Sequence, residues 1–264
     1  MKRILIIAIL IFAVCIPFTA FADAGEVRDY NETEKYCYVS LGTYPATAEG
    51  ERAPVLWRVL DVTDGQALLL SDKILDIQQV IFCDNKKESD ARKFRKIADF
   101  TESDLCVWMN EDMLNDLCAE EDFSGALTEG AYGKLYPLTE EQLLNPDYGF
   151  VNTRWASDDQ HWSCRQFTAT DYAKSRELYH GYTTPANNKL YVDRQWGTSS
   201  AWAATVKDPK DVKLALIGCN GHLSYGVYTR VNVGVLPAMT LNLSKCSVTA
   251  GSGTAEDPFQ LSVQ

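Results

Sequence analysis

The sequence predicts an α+β fold, in which an irregular antiparallel sheet carries about two main helices and long loops, with a β-hairpin at the C-terminus. Three observations support this prediction. Residues 53–71 have the pattern of a β-hairpin, an apolar stripe at helical spacing follows residue 100, and residues 148–202 show few regular elements but many aromatic side chains. At 264 residues and 46% hydrophobic content, the chain is long enough for one domain with short appendages.

The predicted central hairpin consists of two apolar runs around a tight turn. Residues 55–62 are rich in β-branched and aromatic side chains, Asp64-Gly65 tolerates the positive φ of such a turn, and residues 66–70 run back as a second strand. Both faces of the first strand are largely apolar, with Val55, Trp57 and Val59 on one face and Leu56, Leu60 and Val62 on the other. We expect this strand to be covered on both sides and to lie at the centre of the sheet.

The first 22 residues have the three parts of a secretory signal peptide. Lys2-Arg3 is followed by an apolar run at 4–18 and by the small residues Ala20 and Ala22. The run is shorter than the roughly 20 residues that a membrane span needs, so we expect cleavage after residue 22 rather than an uncleaved anchor. The prediction is a secreted protein with no membrane insertion after signal cleavage. Its parts are a signal peptide at 1–22, a linker at 23–35, a single domain at 36–242 and a hairpin tail at 243–264.

Charge and cysteine content limit the partners and the chemistry. A formal net charge of −11 argues against nucleic acid and anionic lipid surfaces as partners. Seven of the eight cysteines follow the predicted cleavage site, so disulfides would leave at least one thiol, and buried thiols are the alternative. No cysteine or histidine spacing is typical of zinc, so we predict neither a metal nor a cofactor.

Short elements are predicted on both sides of the hairpin. Residues 36–44 alternate as a first strand, and Thr101 with Asp104 approximates a capping box for a helix. The apolar stripe of this helix is expected to face the core and consists of Leu105, Trp108, Met109 and Met113. A strand at 134–138 precedes a second capping box at 139–142.

The C-terminal half shows a short helix and three strands. Thr168 or Thr170 caps the helix at 171–178. Asn220-Gly221 indicates a two-residue turn between strands at 212–219 and 222–228. A last long strand is predicted at 231–241, with Pro237 near an edge or a bulge, before the separate C-terminal hairpin.

The order of these motifs resembles a bacterial family of secreted proteins known only as a domain of unknown function. The recurring pieces are a Trp-Arg-Val-Leu strand, an Ala-Leu-Leu-Leu-Ser strand, a Trp-Leu-Asn helix, a Leu-Thr/Ser-x-Glu-Glu turn, a Thr-x-Tyr-Ala helix, a Trp-Leu-Arg-Ser/Thr segment and a closing Gly-Val-Arg-Pro-Ala. They correspond here to residues 57–60, 67–71, 108–110, 138–141, 170–173, 202–205 and 234–238. Two arginines of the family pattern are absent, because Ala204 and Leu236 stand at their positions. If those arginines meet a shared carboxylate or an anionic ligand in relatives, this chain lacks that contact.

The resemblance implies a fold, and it implies no activity. The family is similar in layout to C-type-lectin-like and sulfatase-modifying-factor domains, which combine an irregular antiparallel sheet, two helices and long loops. The Glu-Pro-Asn and Trp-Asn-Asp motifs that hold calcium in such lectins do not occur here. Cys219 and Cys246 are also too isolated to suggest the reactive cysteine pair of a formylglycine-generating oxidase.

The aromatic-rich stretch 148–202 is the candidate binding surface. It holds four of the six tryptophans, and loops of this kind on a rigid scaffold often bind ligands, although the rings could equally fill a core that lacks regular elements. Trp196 is the favoured stacking ring, with Arg194 beside it as a polar contact. The predicted ligand-binding residues are Tyr191, Asp193, Arg194, Trp196, Trp202 and Trp155. They predict a non-catalytic module that recognises a glycan or a peptide.

A cysteine-dependent enzyme is the alternative hypothesis. Cys219 and His222 flank the predicted Asn220-Gly221 turn, and His161 lies near Cys164, so either pair could provide a thiol and its base. No oxyanion-stabilising motif or orienting residue is evident near them. We therefore predict no catalytic residue and favour the binding module.

Overall fold

The structure, a computed structural model, describes residues 36–80, 97–155, 163–177, 189–195, 197–208, 213–227 and 233–264. The predicted signal peptide at 1–22 and the linker at 23–35 lie outside these ranges. The described chain is mostly β-sheet with two helices, which confirms the predicted α+β class. None of its helices is long and apolar enough to cross a membrane.

The described strands form two sheets rather than the single predicted one. In chain order they are β1 (Cys37–Pro45), β2 (Arg52–Thr63), β3 (Gln66–Ser71), β4 (Asp76–Ile77), β5 (Leu127–Thr128), β6 (Leu135–Pro137), β7 (Ala201–Asp208), β8 (Lys213–Ile217), β9 (Leu223–Val227), β10 (Gly234–Val235), β11 (Pro237–Asn242), β12 (Cys246–Ala250) and β13 (Phe259–Val263). The larger sheet has the order β12-β13-β1-β2-β3-β11-β5, with β6 also paired to β11. The smaller sheet has the order β4-β10-β7-β8-β9. The pairs β1–β13 and β7–β10 are parallel, so neither sheet is purely antiparallel.

The predicted central hairpin is present and lies in the middle of the larger sheet. Asp64 and Gly65 both have positive φ, 51° and 73°, and Thr63 pairs with Gln66 across this two-residue turn. Val59 of β2 packs into one core cluster and Leu60 into the other, and both are fully buried. Coverage on both faces, as the sequence predicted, explains why both faces of this strand are largely apolar.

The main helix, α1, spans residues 104–117. It consists of an α-helical turn at Asp104–Trp108, a π-helical segment at Met109–Met113 and a second α-helical turn at Leu114–Leu117. The predicted apolar stripe faces the core, since Leu105, Met109 and Met113 are buried and Trp108 is partly buried against the same cluster.

The cap of α1 differs from the prediction. The Ser103 side chain accepts a hydrogen bond from the Cys106 amide at 3.0 Å, whereas Thr101 belongs to a preceding 3₁₀ turn, Phe100–Glu102, that Asp99 caps. The predicted Thr101–Asp104 box is therefore wrong by two residues. The second helix, α2 (Asp171–Ser175), begins at Thr170, whose hydroxyl accepts from the Ala173 amide at 3.1 Å.

The predicted last long strand is divided between the two sheets. β10 pairs with β7 in the smaller sheet, and β11 pairs with β3 in the larger one. Pro237 opens β11, a position at which its missing N–H does not interrupt a ladder. The chain thus passes from one sheet to the other next to Leu236.

The predicted C-terminal hairpin forms, but it does not stand apart from the domain. β13 pairs in parallel with β1, where Val39 lies opposite Phe259, so the hairpin extends the larger sheet. The side chains of Phe259 and Leu261 are buried in the same core cluster as Trp57. The tail at 243–264 is therefore part of the fold.

Candidate functional site

A cleft of about 950 Å³ lies where three parts of the described chain meet. Residues 98–100 before α1 form one part of its lining, residues 139–148 after β6 a second part, and residues 204–207 of β7 a third. Tyr132 and Arg154 complete the lining. A concave surface of this size with both aromatic and polar side chains is the usual form of a ligand site.

The segment at 139–148 is shaped by the capping box that the sequence predicts. The Gln142 amide donates to the Thr139 hydroxyl at 3.2 Å, and the Thr139 amide donates to the Gln142 side chain at 2.9 Å. The helical part is only the 3₁₀ turn Gln142–Leu144. These reciprocal bonds place Glu140 and Glu141 in a fixed turn at the wall of the cleft.

Glu140 is at the centre of a charged cluster on this wall. Its side chain is 11% exposed, its carboxylate forms a close ion pair with the Arg154 guanidinium, and the Tyr225 hydroxyl donates to it at 3.4 Å. Its backbone amide donates to the Thr205 hydroxyl at 2.8 Å, which ties the turn to β7. Glu140 is therefore held from both its main chain and its side chain.

Two cations pack against the ring of Tyr225. The guanidinium carbon of Arg154 lies 4.8 Å from the ring centroid, and the Lys207 ammonium lies 5.3 Å from it. Burial raises the pKa of Glu140, and the positive charge of Lys207 acts in the opposite direction. This part of the cleft wall therefore carries two positive charges and one negative charge.

Trp155, the next residue after Arg154, lies on the surface. Its side chain is 64% exposed, and its ring meets the His222 ring edge-on with 5.1 Å between centroids. Tyr191, which is 52% exposed, and Arg194 also lie on the surface. None of these three residues lines the cleft.

Trp202, one of the predicted binding residues, lies in the core rather than on the surface. Its side chain is 1% exposed and belongs to the core, and its indole N–H donates to the Gln78 carbonyl oxygen at 3.0 Å. Trp202 lies on β7, whose alternate residues enter the two core clusters, so the ring fills the space between layers. This ring of the aromatic-rich stretch therefore fills the core, which was the alternative to a binding role.

Asp193 shapes a turn next to the Cys219 loop. Its carboxylate accepts from the Gln195 amide at 2.8 Å, and its own amide donates to the Thr198 carbonyl at 2.8 Å. Its other carboxylate oxygen lies 3.9 Å from the Cys219 sulfur. Trp196, the favoured stacking ring, lies outside the described residues.

The turn that was expected to join Cys219 and His222 has a different form. The Gly218 amide donates to the His222 carbonyl at 2.7 Å, which leaves a three-residue loop at 219–221, and Gly221 adopts a φ of 80°. Cys219 therefore lies within the loop rather than opposite His222, and the predicted two-residue turn is wrong.

The electrostatic setting of Cys219 does not favour a thiolate. Burial raises the pKa of Cys219, and the negative charge of Asp193 raises it further, whereas a nucleophilic cysteine needs a lowered pKa. Burial, reinforced by the positive charge of Arg165, lowers the pKa of His222. Cys164, the other candidate nucleophile, is buried, and His161 lies outside the described residues.

The cysteines of the described ranges are free thiols, namely Cys37, Cys106, Cys118, Cys164, Cys219 and Cys246. Burial raises the pKa of Cys37 to about 11. Within the same ranges no group of three histidine, cysteine, aspartate or glutamate side chains is placed to hold a metal ion.

Comparisons with protein families, curated proteins and solved structures found no match for this chain.

Sequence reasoning missed the residues of the cleft wall, Glu140, Arg154 and Lys207. A signal was present, because two of the quoted motifs, at 138–141 and 202–205, both contribute residues to the cleft. Ala204, which stands where the resemblance implies an arginine, also lines the cleft, and the guanidinium next to Glu140 comes from Arg154 instead.

Proposed function

We propose that this chain is a secreted, non-catalytic binding module that holds a glycan or a peptide in the cleft. The observation that supports this proposal best is the combination of half-buried rings and fixed polar groups in one concave surface. Tyr132 and Tyr148 supply rings, while Glu141, Gln142 and Asn145 supply carboxylate and amide groups between them.

The polar groups of the cleft are held in place before a ligand binds. A sugar ring or an extended peptide presents a flat apolar face with polar groups at its edge, which suits an aromatic ring beside amide and carboxylate side chains. Here the capping box holds Gln142, and the ion pair with Arg154 holds Glu140, before any ligand arrives. Binding would therefore require little ordering of these side chains.

The resemblance to a secreted bacterial family and to the C-type-lectin-like layout supports the same proposal. Mixed sheets with two helices and long irregular segments, as described above, are compatible with that layout. We accordingly propose membership of this family and an extracellular location. N-terminal sequencing of material secreted by a native-like host tests the location: a start at Asp23 supports it, and retention of Met1 in a membrane fraction contradicts it.

The binding proposal is tested with glycan and peptidoglycan-fragment arrays, followed by two tyrosine variants. Tyr148→Ala removes a ring from the cleft, and Tyr191→Ala removes an exposed ring outside it. We expect at least about tenfold weaker binding for Tyr148→Ala and unchanged binding for Tyr191→Ala. Equal effects of the two variants would remove the cleft as the site, and conversion of any bound compound into product would overturn the non-catalytic assignment.

A further inference from the structure

We infer that the ligand of the cleft is an acidic glycan, whose negatively charged group is held by Lys207 and Arg154. This inference rests on the proposed function, since it specifies the ligand class for the same cleft. It is carried by the arrangement of three charges around one ring.

The cleft wall beside Tyr225 carries charges of both signs. Arg154 and Lys207 approach the same Tyr225 ring to 4.8 and 5.3 Å, and Glu140 is the carboxylate that pairs with Arg154 there. Two cations and one carboxylate thus lie around the Tyr225 ring, while Asp99 and Glu141 line other parts of the cleft. The whole chain has 25 lysines and arginines against 36 acidic residues, so two cations beside one ring are contrary to its overall balance.

Arg154 and Lys207 carry several N–H donors each. An arginine guanidinium has five N–H donors in a planar fork, and one carboxylate cannot accept from all of them. Lys207 is exposed, and its ammonium has three N–H donors. The Tyr225 ring attracts the charge of this ammonium and does not require its N–H donors. A carboxylate or sulfate on the ligand would accept charge-assisted hydrogen bonds from both groups.

The remaining lining favours a sugar over a peptide as the carrier of that group. Glu141, Gln142 and Asn145 offer oxygen acceptors and amide donors beside the Tyr148 ring, an arrangement that matches neighbouring hydroxyl groups on a pyranose. Asp99 and Glu141 also line the cleft, and their negative charges disfavour a densely charged polyanion there. The expected ligand therefore has isolated acidic groups among neutral hydroxyls.

The test uses matched pairs of compounds that differ only in charge. A hyaluronan hexasaccharide and sialyllactose are each compared with the methyl ester of the same compound, by calorimetry with the full mature chain. A sulfated disaccharide and a tripeptide with a free or amidated C-terminus complete the panel. We expect at least one acid to bind about tenfold or more tightly than its ester.

Two lysine variants test whether Lys207 causes the preference for the acid over the ester. Lys207→Gln should remove most of the preference for the acid over the ester, whereas Lys73→Gln, an equal charge change at an exposed site outside the cleft, should leave it intact. Circular dichroism checks that both variants fold.

The outcomes distinguish this inference from the proposed function. Equal binding of acids and esters overturns the acidic ligand and leaves a glycan-binding module. Binding only of the free-carboxylate tripeptide overturns the glycan and leaves a peptide-binding module. Absence of binding across all arms overturns both the inference and the proposed function.

Discussion

The Nε–H of Arg165 donates a hydrogen bond of 2.9 Å to the carbonyl oxygen of Gly221, in the loop before β9. Its terminal nitrogens also donate to the carbonyl oxygens of Leu143, Val151 and Thr153 at 2.8 to 3.0 Å. The side chain is fully buried. One cation therefore fixes the 139–148 segment at Leu143, the chain that leads into Arg154, and the hairpin that carries Tyr225.

Removal of this guanidinium should destabilise the domain strongly. Arg165→Met removes the donors from the carbonyl groups of three buried residues, Leu143, Val151 and Gly221, and from that of Thr153, and we expect a loss of about 3 kcal/mol or more in the free energy of unfolding. Arg194→Met, at an exposed position, should change it by less than about 0.5 kcal/mol. Urea unfolding of the two variants measures both values, and similar stability for both would show that Arg165 does not organise the loops.

Trp57 should be far more important for stability than Trp108. Trp57 is fully buried at the centre of the larger sheet, and its indole N–H donates to the Leu41 carbonyl at 2.9 Å, whereas Trp108 is only partly buried. We expect Trp57→Ala to cost about 3–5 kcal/mol and Trp108→Ala clearly less. Thermal or urea unfolding checks the difference. Equal losses, or a small shift for Trp57→Ala, would contradict the described core.

Local patterns predicted most of the individual elements. The hairpin at 52–71, the capping box at 139–142 and the start of α2 each have their signal in one continuous stretch of the sequence, so these elements are legible there. The division of the chain between two sheets at Pro237 depends on which strand lies beside it. That partner comes from a distant part of the chain, and no local pattern records it.

The site could not be predicted for the same reason. Arg154 and Glu140 are 14 positions apart and meet Lys207 and Tyr225 only after the sheets assemble. Aromatic density drew attention to 148–202, but composition does not distinguish the buried Trp202 from the exposed Trp155. The motif at 138–141 was legible, and only its position in the cleft gives it a functional meaning.

Thiol labelling tests the cysteine-dependent alternative directly. Because burial and Asp193 raise the pKa of Cys219, its thiolate fraction at neutral pH should be lower than that of an ordinary cysteine. We expect Cys219 to react more slowly with iodoacetamide in the folded protein than in the urea-unfolded protein. Mass spectrometry measures the extent of labelling over time. Faster labelling of Cys219 or Cys164 in the folded state than in the unfolded state would revive the enzyme hypothesis.

His222 should make stability depend on pH in a defined direction. Burial, with the positive charge of Arg165, lowers its pKa below the ordinary value of 6.5, so the folded state takes up the proton at lower pH than the unfolded state. The contribution of neutral His222 to the free energy of unfolding is therefore complete above about pH 6.5, and it declines as the pH falls below that value. Urea unfolding at pH 7.5 and pH 5.5 should show a smaller loss for His222→Gln than for the wild-type chain, because the variant lacks this titration. Parallel losses in the two proteins would show that His222 is as easily protonated in the folded state as in the unfolded state.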